Sequence, residues 1–234
     1  LARGNIAFSP RLSRPLRGLS RILIVSPYLP FPLSHGGAVR IYNLCRALSD
    51  RVDFILACFH EAREAVRYPD LHEVFREVHV VDIDEKHADP TVPKQVAEYR
   101  NSAMAMLIAE LCAARQPAAV QLEYTQMAEY RQHADGIPVI LVEHDLTFTL
   151  YQQLADPSAS LWLDFERKAL TGVEMVVTMS EHDREIAIAN GARAERTSVV
   201  PNGVDLERYR PEPRSASAPV VLFVGSFRHL PNLL

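Results

Sequence analysis

The stretch Arg21-Ile-Leu-Ile-Val-Ser-Pro-Tyr-Leu-Pro-Phe-Pro-Leu-Ser-His-Gly-Gly37 decides the fold of this 234-residue chain. It opens on a continuous apolar run, which a strand needs when both of its faces are covered. A strand open to water on one side would alternate apolar and polar residues. Pro27, Pro30 and Pro32 then interrupt any helix or ladder, because proline has no N–H to give. Gly36 and Gly37 close the loop and open a helix, along which Ile41, Leu44, Cys45 and Leu48 make one apolar stripe. The unit reads as buried strand, loop, helix.

The same alternation runs outward from there. Strands are expected at 52–59, 78–83, 118–122, 138–142, 175–179 and 198–200. Helices are expected at 61–75, 92–115, 125–133 and 146–170, the last interrupted near Asp156-Pro157. Within 92–115, Val96, Tyr99, Ala103 and Leu107 share a face. Ser180 is the expected N-cap of a further helix, with the short Asp183 where a full capping box wants glutamate or glutamine. Asn190-Gly191 ends that helix, since glycine tolerates a left-handed turn.

This order predicts an α/β fold: a Rossmann-like, mainly parallel sheet with helices on both faces. Ligands in such sheets bind outside the carboxyl ends of the strands. The loops after Val25, Ile83, Leu122, Val142 and Met179 are therefore the ones to search. Four segments are expected. Residues 1–20 form a basic flexible tail with Arg3, Arg11, Arg14 and Arg17 and no acid, and 21–200 form the Rossmann-like domain. Residues 201–219 form a linker containing Pro211-Glu-Pro213 and Ser215-Ala-Ser217. Residues 220–234 begin a second α/β unit with Val220-Val-Leu-Phe-Val-Gly225. The first residue is Leu1 and the last lies in an apolar run, so a piece of a longer protein is expected.

Composition removes several classes. Apolar residues at 48% and charged residues at 23% suit a globular chain and exclude a disordered one. A net charge of −4 argues against a nucleic-acid partner, whose footprint would be basic. No apolar stretch is long enough to span a bilayer. Tyr28, Leu29, Phe31 and Leu33 make the first loop apolar; they either pack over the sheet edge or meet a lipid-linked acceptor or a membrane surface. Cys45, Cys58 and Cys112 are odd in number and form no CxxC pair, which reads as buried free thiols in a reducing cytoplasm. Peripheral attachment at the inner membrane face is the alternative location.

The motifs narrow the chemistry. The first loop lacks GxGxxG, and the chain has no Walker A sequence, which removes nicotinamide dehydrogenases and P-loop NTPases. Gly36 and Gly37 are either a tight turn or a bare helix start where N–H groups meet a phosphate or sugar hydroxyl. His144 follows the 139–143 run, at a strand's carboxyl end. It is either structural or a donor to a substrate hydroxyl. Asp145 beside it can cap the next helix. Glu123 and Tyr124 follow another strand end and suit a sugar by hydroxyl acceptance and ring stacking; a surface carboxylate beside a half-buried ring is the competing reading. Asp82-Ile83-Asp84 has the look of a metal-diphosphate pair, but Glu85 and Asp89 crowd it, and a solvated acidic loop is the preferred reading. Neither Glu143-His-Asp145 nor Glu181-His-Asp183 has HExxH spacing, and Ser26 and Ser180 lack the GxSxG setting.

Taken in order, the 21–48 segment, His144, Val199-Val-Pro-Asn-Gly-Val-Asp205 and Val220-Val-Leu-Phe-Val-Gly-Ser226 resemble the group 1 (family four) glycosyltransferases. The resemblance covers 21–234 and implies the N-terminal half of a two-domain GT-B fold. It implies a sugar moved from a nucleotide-sugar donor with retention of configuration, and neither metal nor other cofactor. The N-terminal domain would hold a carbohydrate, lipid-linked or small-molecule acceptor, and the C-terminal domain most of the donor. Gly36 and Gly37 would approach the donor phosphate or the acceptor. His144 would act on the donor sugar, and Glu123, Tyr124 and Asp145 are the further candidates for binding donor or acceptor. Ser226-Phe-Arg-His229 stands where a Gly-Arg is common, so Arg228 would take the phosphate contact. This piece alone is expected to lack transferase activity. Three other readings compete: a GT-B sugar-nucleotide 2-epimerase, a non-catalytic sugar- or partner-binding domain, and a receiver-like domain. The receiver-like one is weakest, because Ser26-Pro27 occupies the loop where it needs acids.

Overall fold

The computed structural model describes residues 6–10, 19–61, 65–83, 88–207, 209–210, 221–222 and 225. The chain divides into two units, Leu1–Asn202 and Gly203–Leu234. The first unit is built on an eight-stranded sheet. Its strands are β1 (Ile6–Pro10), β2 (Ser20–Ser26), β3 (Val52–His60), β4 (Phe75–Asp82), β5 (Ala119–Glu123), β6 (Val139–Val142), β7 (Met175–Thr178) and β8 (Thr197–Val199). Their spatial order is β1-β4-β3-β2-β5-β6-β7-β8. Strands β2 to β8 run parallel, and β1 runs antiparallel to β4.

The sheet order reverses between β2 and β5, so the loops leaving those two strands turn away on opposite faces and open a crevice. The helices are α1 (Gly36–Leu48), α2 (Tyr68–Leu71), α3 (Lys94–Glu98), α4 (Ser102–Arg115), α5 (Thr147–Gln153), α6 (Ala159–Thr171) and α7 (Glu181–Ala189), with a 3-10 helix at Thr125–His133. Successive residues of β2 serve opposite faces, as a pleated strand requires. Ile24 joins Leu56, Cys58, Val80 and the α1 residues Ile41, Tyr42 and Cys45. Leu23 and Val25 join Ile55, Val120, Leu122 and Leu141 under α4 and α6, with Met104, Ile108, Trp162 and Phe165. Each such buried aliphatic side chain contributes roughly 1.5–3 kcal/mol. The continuous apolar run at 21–26 is thus explained by two covered faces.

Several expectations need correction. Residues 6–10 lie inside the expected flexible tail, yet Ile6–Pro10 is an edge strand in register with Val81 to Glu77. Backbone pairing to β4 makes that strand, and no apolar pattern announces it. The apolar stripe of α1 is rotated: Ile41 and Cys45 are buried, but Leu44 and Leu48 stay 39% and 38% exposed. The buried face is Ala38, Ile41, Tyr42 and Cys45, with Arg40 beside it. The expected helix at 61–75 shrinks to α2, because Val74 and Phe75 are buried at the entry to β4. The expected helix at 92–115 is two helices. Asn101 breaks it by capping α4, its Oδ1 accepting from Met104 N at 3.0 Å. Ser180 caps α7 as expected, accepting from Asp183 N at 3.1 Å.

In the second unit, Tyr209 N donates to Asp205 O at 2.9 Å and Glu207 N to Asp205 Oδ1 at 3.0 Å, forming a turn. Val221 and Leu222, expected within a strand, are exposed and in no strand. Val220, Phe223 and Val224 lie outside the described residues. No helix among the described residues is long and apolar enough to cross a membrane.

Candidate functional site at the sheet's carboxyl edge

The loop after β2 is tied down at its first turn. Ser26 Oγ donates to Tyr28 O at 2.7 Å and accepts from Tyr28 N at 3.3 Å. The loop ends at His35, whose Nδ1 accepts from Ala38 N at 3.3 Å and so caps α1. Histidine is an unusual cap, and the sequence reading passed over it. Leu29 is buried, and Tyr28, Phe31 and Leu33 pack against the α1-side core. This is the packing expected by one of the two readings of this apolar loop.

Gly36 and Gly37 begin α1 but differ in kind. A Cβ on Gly36 would meet nothing within 4 Å. A Cβ on Gly37 would lie 1.9 Å from Tyr124 Oη and 2.0 Å from Tyr28 Oη. Glycine at 37 is therefore what lets two tyrosine hydroxyls reach the helix start. Burial pushes the Tyr28 phenol up and the Tyr124 phenol to about 12, so both stay protonated at neutral pH.

Strand β5 ends at Glu123, which is 2% exposed. Its Oε1 accepts from Gln121 Nε2 at 2.6 Å, and its Oε2 lies 2.7 Å from His144 Nε2. A carboxylate only accepts, so the His144 Nε2–H is the donor of this bond. The Tyr124 ring stacks on the His144 ring, with centroids 3.7 Å apart and planes 7° from parallel. Tyr28 meets Tyr124 edge-on at 5.3 Å and His35 edge-on at 4.3 Å. Tyr124 itself has φ 72° and ψ 147°, a backbone region that side chains rarely occupy. Such strain costs on the order of 1–3 kcal/mol and persists only where the surroundings hold it.

The structure thus gathers Gly37, Glu123, Tyr124 and His144 into one constellation, with Gly36 at its open rim. Asp145 follows His144, and its charge acts on Tyr124. It does not cap α5, as its position suggested. The N-cap residue of α5 is Leu146, and the buried Glu166 of α6 accepts from Thr147 N at 2.8 Å and Phe148 N at 2.9 Å in its place. Arg228 lies outside the described residues.

Two groups escaped the sequence reading. Arg40 is 7% exposed, and its guanidinium donates to Val200 O at 2.6 Å, Pro201 O at 3.0 Å and Asn202 Oδ1 at 3.1 Å. It fixes the chain leaving β8 to α1. Burial lowers its pKa, and the Glu123 charge works against that. The available signal was a lone charge next to Ile41, Tyr42 and Cys45. The second group is Glu143 and Glu166 with Thr125 between them, all buried. In the sequence, Glu143 stands out only as part of the Glu143-His-Asp145 tripeptide.

Other features lie apart. A cavity of about 320 Å³ is lined by Tyr99, Arg100, Gln126, Glu129 and Tyr130 and does not include His144. Arg100 there is already matched by Glu129 at 2.5 and 2.6 Å and by Asp89. Among the described residues no three His, Cys, Asp or Glu side chains gather as they would around a metal. Asp82 lies 2.9 Å from His60 Nδ1, and Asp84 is outside the described residues. Cys45, Cys58 and Cys112 are buried free thiols.

Residues 34–208, well over half of the chain, match the sequence pattern of Glycosyltransferase Family 4. The chain belongs to this family. No curated protein matches it by sequence. Among solved structures, this family 4 chain is similar to HepE of Anabaena in complex with UDP and glucose. The identity is 16% and the TM-score 0.55, over 83% of this chain and 47% of HepE. It is also similar to sucrose-phosphate synthase of Thermosynechococcus elongatus, with 14% identity and a TM-score of 0.58, over 82% and 50% of the two chains. A third is the lipopolysaccharide outer core galactosyltransferase WaaB, with 13% identity and a TM-score of 0.54, over 85% and 50%. The likeness confirms the Rossmann-like half of a GT-B fold. The family 4 chain spans about half the length of these structures.

Proposed function

We propose that this chain is the acceptor-side half of a glycosyltransferase that moves a sugar from a nucleotide-sugar donor, with retention and without a metal. The observation that carries the reading is the Glu123–His144–Tyr124 constellation at the switch point of the sheet, against the start of α1. HepE is described with UDP and glucose, which makes a UDP-sugar the first donor to test. Arg228 is proposed for the donor phosphate, and Gly36, with open space at its Cα, for approach to donor or acceptor.

His144 has its Nε2–H committed to Glu123, so Nδ1 is the ring atom left to serve a ligand hydroxyl. In the reaction, the acceptor oxygen attacks the anomeric carbon on the face from which the diphosphate departs. The bond to the diphosphate breaks, and a leaving-phosphate oxygen takes the acceptor proton. Retention then needs no protein nucleophile. The acceptor is proposed as a carbohydrate or small molecule. Leu29 is buried, and Tyr28, Phe31 and Leu33 are half-buried against the α1-side core, which favours this choice over a lipid-linked acceptor.

The test uses the protein extended through its second domain, supplied with UDP-glucose with and without a panel of acceptors. Sugar transfer that depends on acceptor supports the reading. Inversion at C2 without acceptor, or binding without turnover of any nucleotide sugar, overturns it in favour of an epimerase or a binding domain. The 234-residue chain alone is expected to show negligible turnover.

A further inference from the structure

Just past the ends of β5 and β6, two glutamates share the hydroxyl of Thr125. Thr125 Oγ1 is hydrogen-bonded to Glu143 Oε2 and lies 3.1 Å from Glu166 Oε1. Glu143, Thr125 and Glu166 are 1%, 2% and 0% exposed. A hydroxyl has one hydrogen, so it can donate to only one of the two carboxyls. With both ionised, two buried anions would compete for that hydrogen, and such pairs take up a proton instead.

The hydrogen-bond inventory says which carboxyl holds the proton. Glu166 receives the N–H groups of Thr147 and Phe148 at the start of α5, as an anion should. Glu143 receives no backbone donor, and its Oε1 is buried without a partner. The arrangement that gives the single Thr125 hydrogen one acceptor has Glu143 Oε2–H donating to Thr125 Oγ1, and Thr125 O–H donating to the Glu166 carboxylate. Burial acts in the same direction, raising Glu143 well above the ordinary carboxyl range and Glu166 to about 7. The titratable groups acting on the pair from neighbouring segments are each other and Asp145, all acidic.

The chain's members sit beside the site. Thr125 directly follows Tyr124, whose backbone is strained, and Glu143 directly precedes His144. We propose that Glu143, Thr125 and Glu166 form a buried chain carrying a single proton, and that this chain is the positioning element for the Tyr124–His144 ring pair. The proposal goes beyond the transfer reaction: it holds whatever ligand the site takes, and its failure leaves that reaction untouched.

The sign of its pH dependence follows. A carboxyl whose folded pKa is raised above its unfolded value favours the fold most below the unfolded value, near 4.5, and loses that contribution as pH rises toward the folded value. Glu143→Gln keeps a neutral N–H donor for Thr125 and removes the titration. Its Tm is expected to gain on wild type as pH rises from 5 to 8, by roughly 2–5 °C per pH unit. Glu166→Gln turns an amide toward N–H donors, and is expected to melt lower than wild type throughout that range. A pH-independent Glu143→Gln difference, or a Glu166→Gln protein as stable as wild type, overturns the single-proton chain. Positioning is read separately by NMR of the His144 ring nitrogens. Thr125→Val should shift them, and Thr125→Ser should restore them. Ring signals unchanged in Thr125→Val overturn the positioning role.

Discussion

Glu123 ends β5 and Glu143 directly follows the adjacent parallel strand β6, one residue further in register, so alternation along the chain turns them to opposite sides of the sheet. Both are buried, and they do different work. Glu123 finds two donors, Gln121 and His144, and a cation on its side in Arg40. Glu143 finds one shared hydroxyl and a second acid. The difference teaches that residue type at a strand end does not set the role. The partners on each face decide whether a carboxyl can stay charged and orient a ring, or must keep a proton and hold the backbone.

The largest effect is expected where Glu123's side loses its cation. Arg40→Met removes three hydrogen bonds from a charged donor, with an expected loss of about 2–3 kcal/mol in urea unfolding. A variant as stable as wild type would show that Arg40 does not hold the β8 exit. Next comes Gly37→Ala, whose Cβ would displace the Tyr28 and Tyr124 hydroxyls. A cost of about 1–2 kcal/mol is expected. Glu123→Gln should cost less, about 1 kcal/mol, because His144 can switch tautomer and accept from the new amide. Nitrogen-15 shifts of the ring would report that switch; an unaltered spectrum would break the contrast between the two glutamates. The smallest effect is assigned to Gly36→Ala, within about 0.5 kcal/mol in the same unfolding assay, since nothing lies near its Cα.

Much of this was legible in the sequence. Continuous apolar runs marked the parallel strands, because both faces of this sheet are covered. Strand ends then pointed to Glu123, Tyr124 and His144 by topology alone. What stayed hidden depended on contacts between distant segments. Ile6–Pro10 becomes a strand only because β4 offers an edge. Gly37 reads as a tight turn or a phosphate approach, and its neighbours are two tyrosine hydroxyls, Tyr28 from its own loop and Tyr124 from beyond β5. Asp145 was the obvious cap by position, yet Glu166, 19 residues beyond Thr147, does the capping. Apolar periodicity cannot find Arg40 or Thr125, since their partners lie far along the chain.

The most direct test of the central claim, that Glu123's side serves the chemistry, is the turnover of His144→Gln in the protein extended through its second domain. Glutamine keeps an N–H for Glu123 and removes the imidazole. Turnover is expected to fall by roughly 10²–10³, the range for losing one preorganised group, while Tm moves by less than about 4 °C. Unchanged turnover together with unchanged donor affinity would contradict the account.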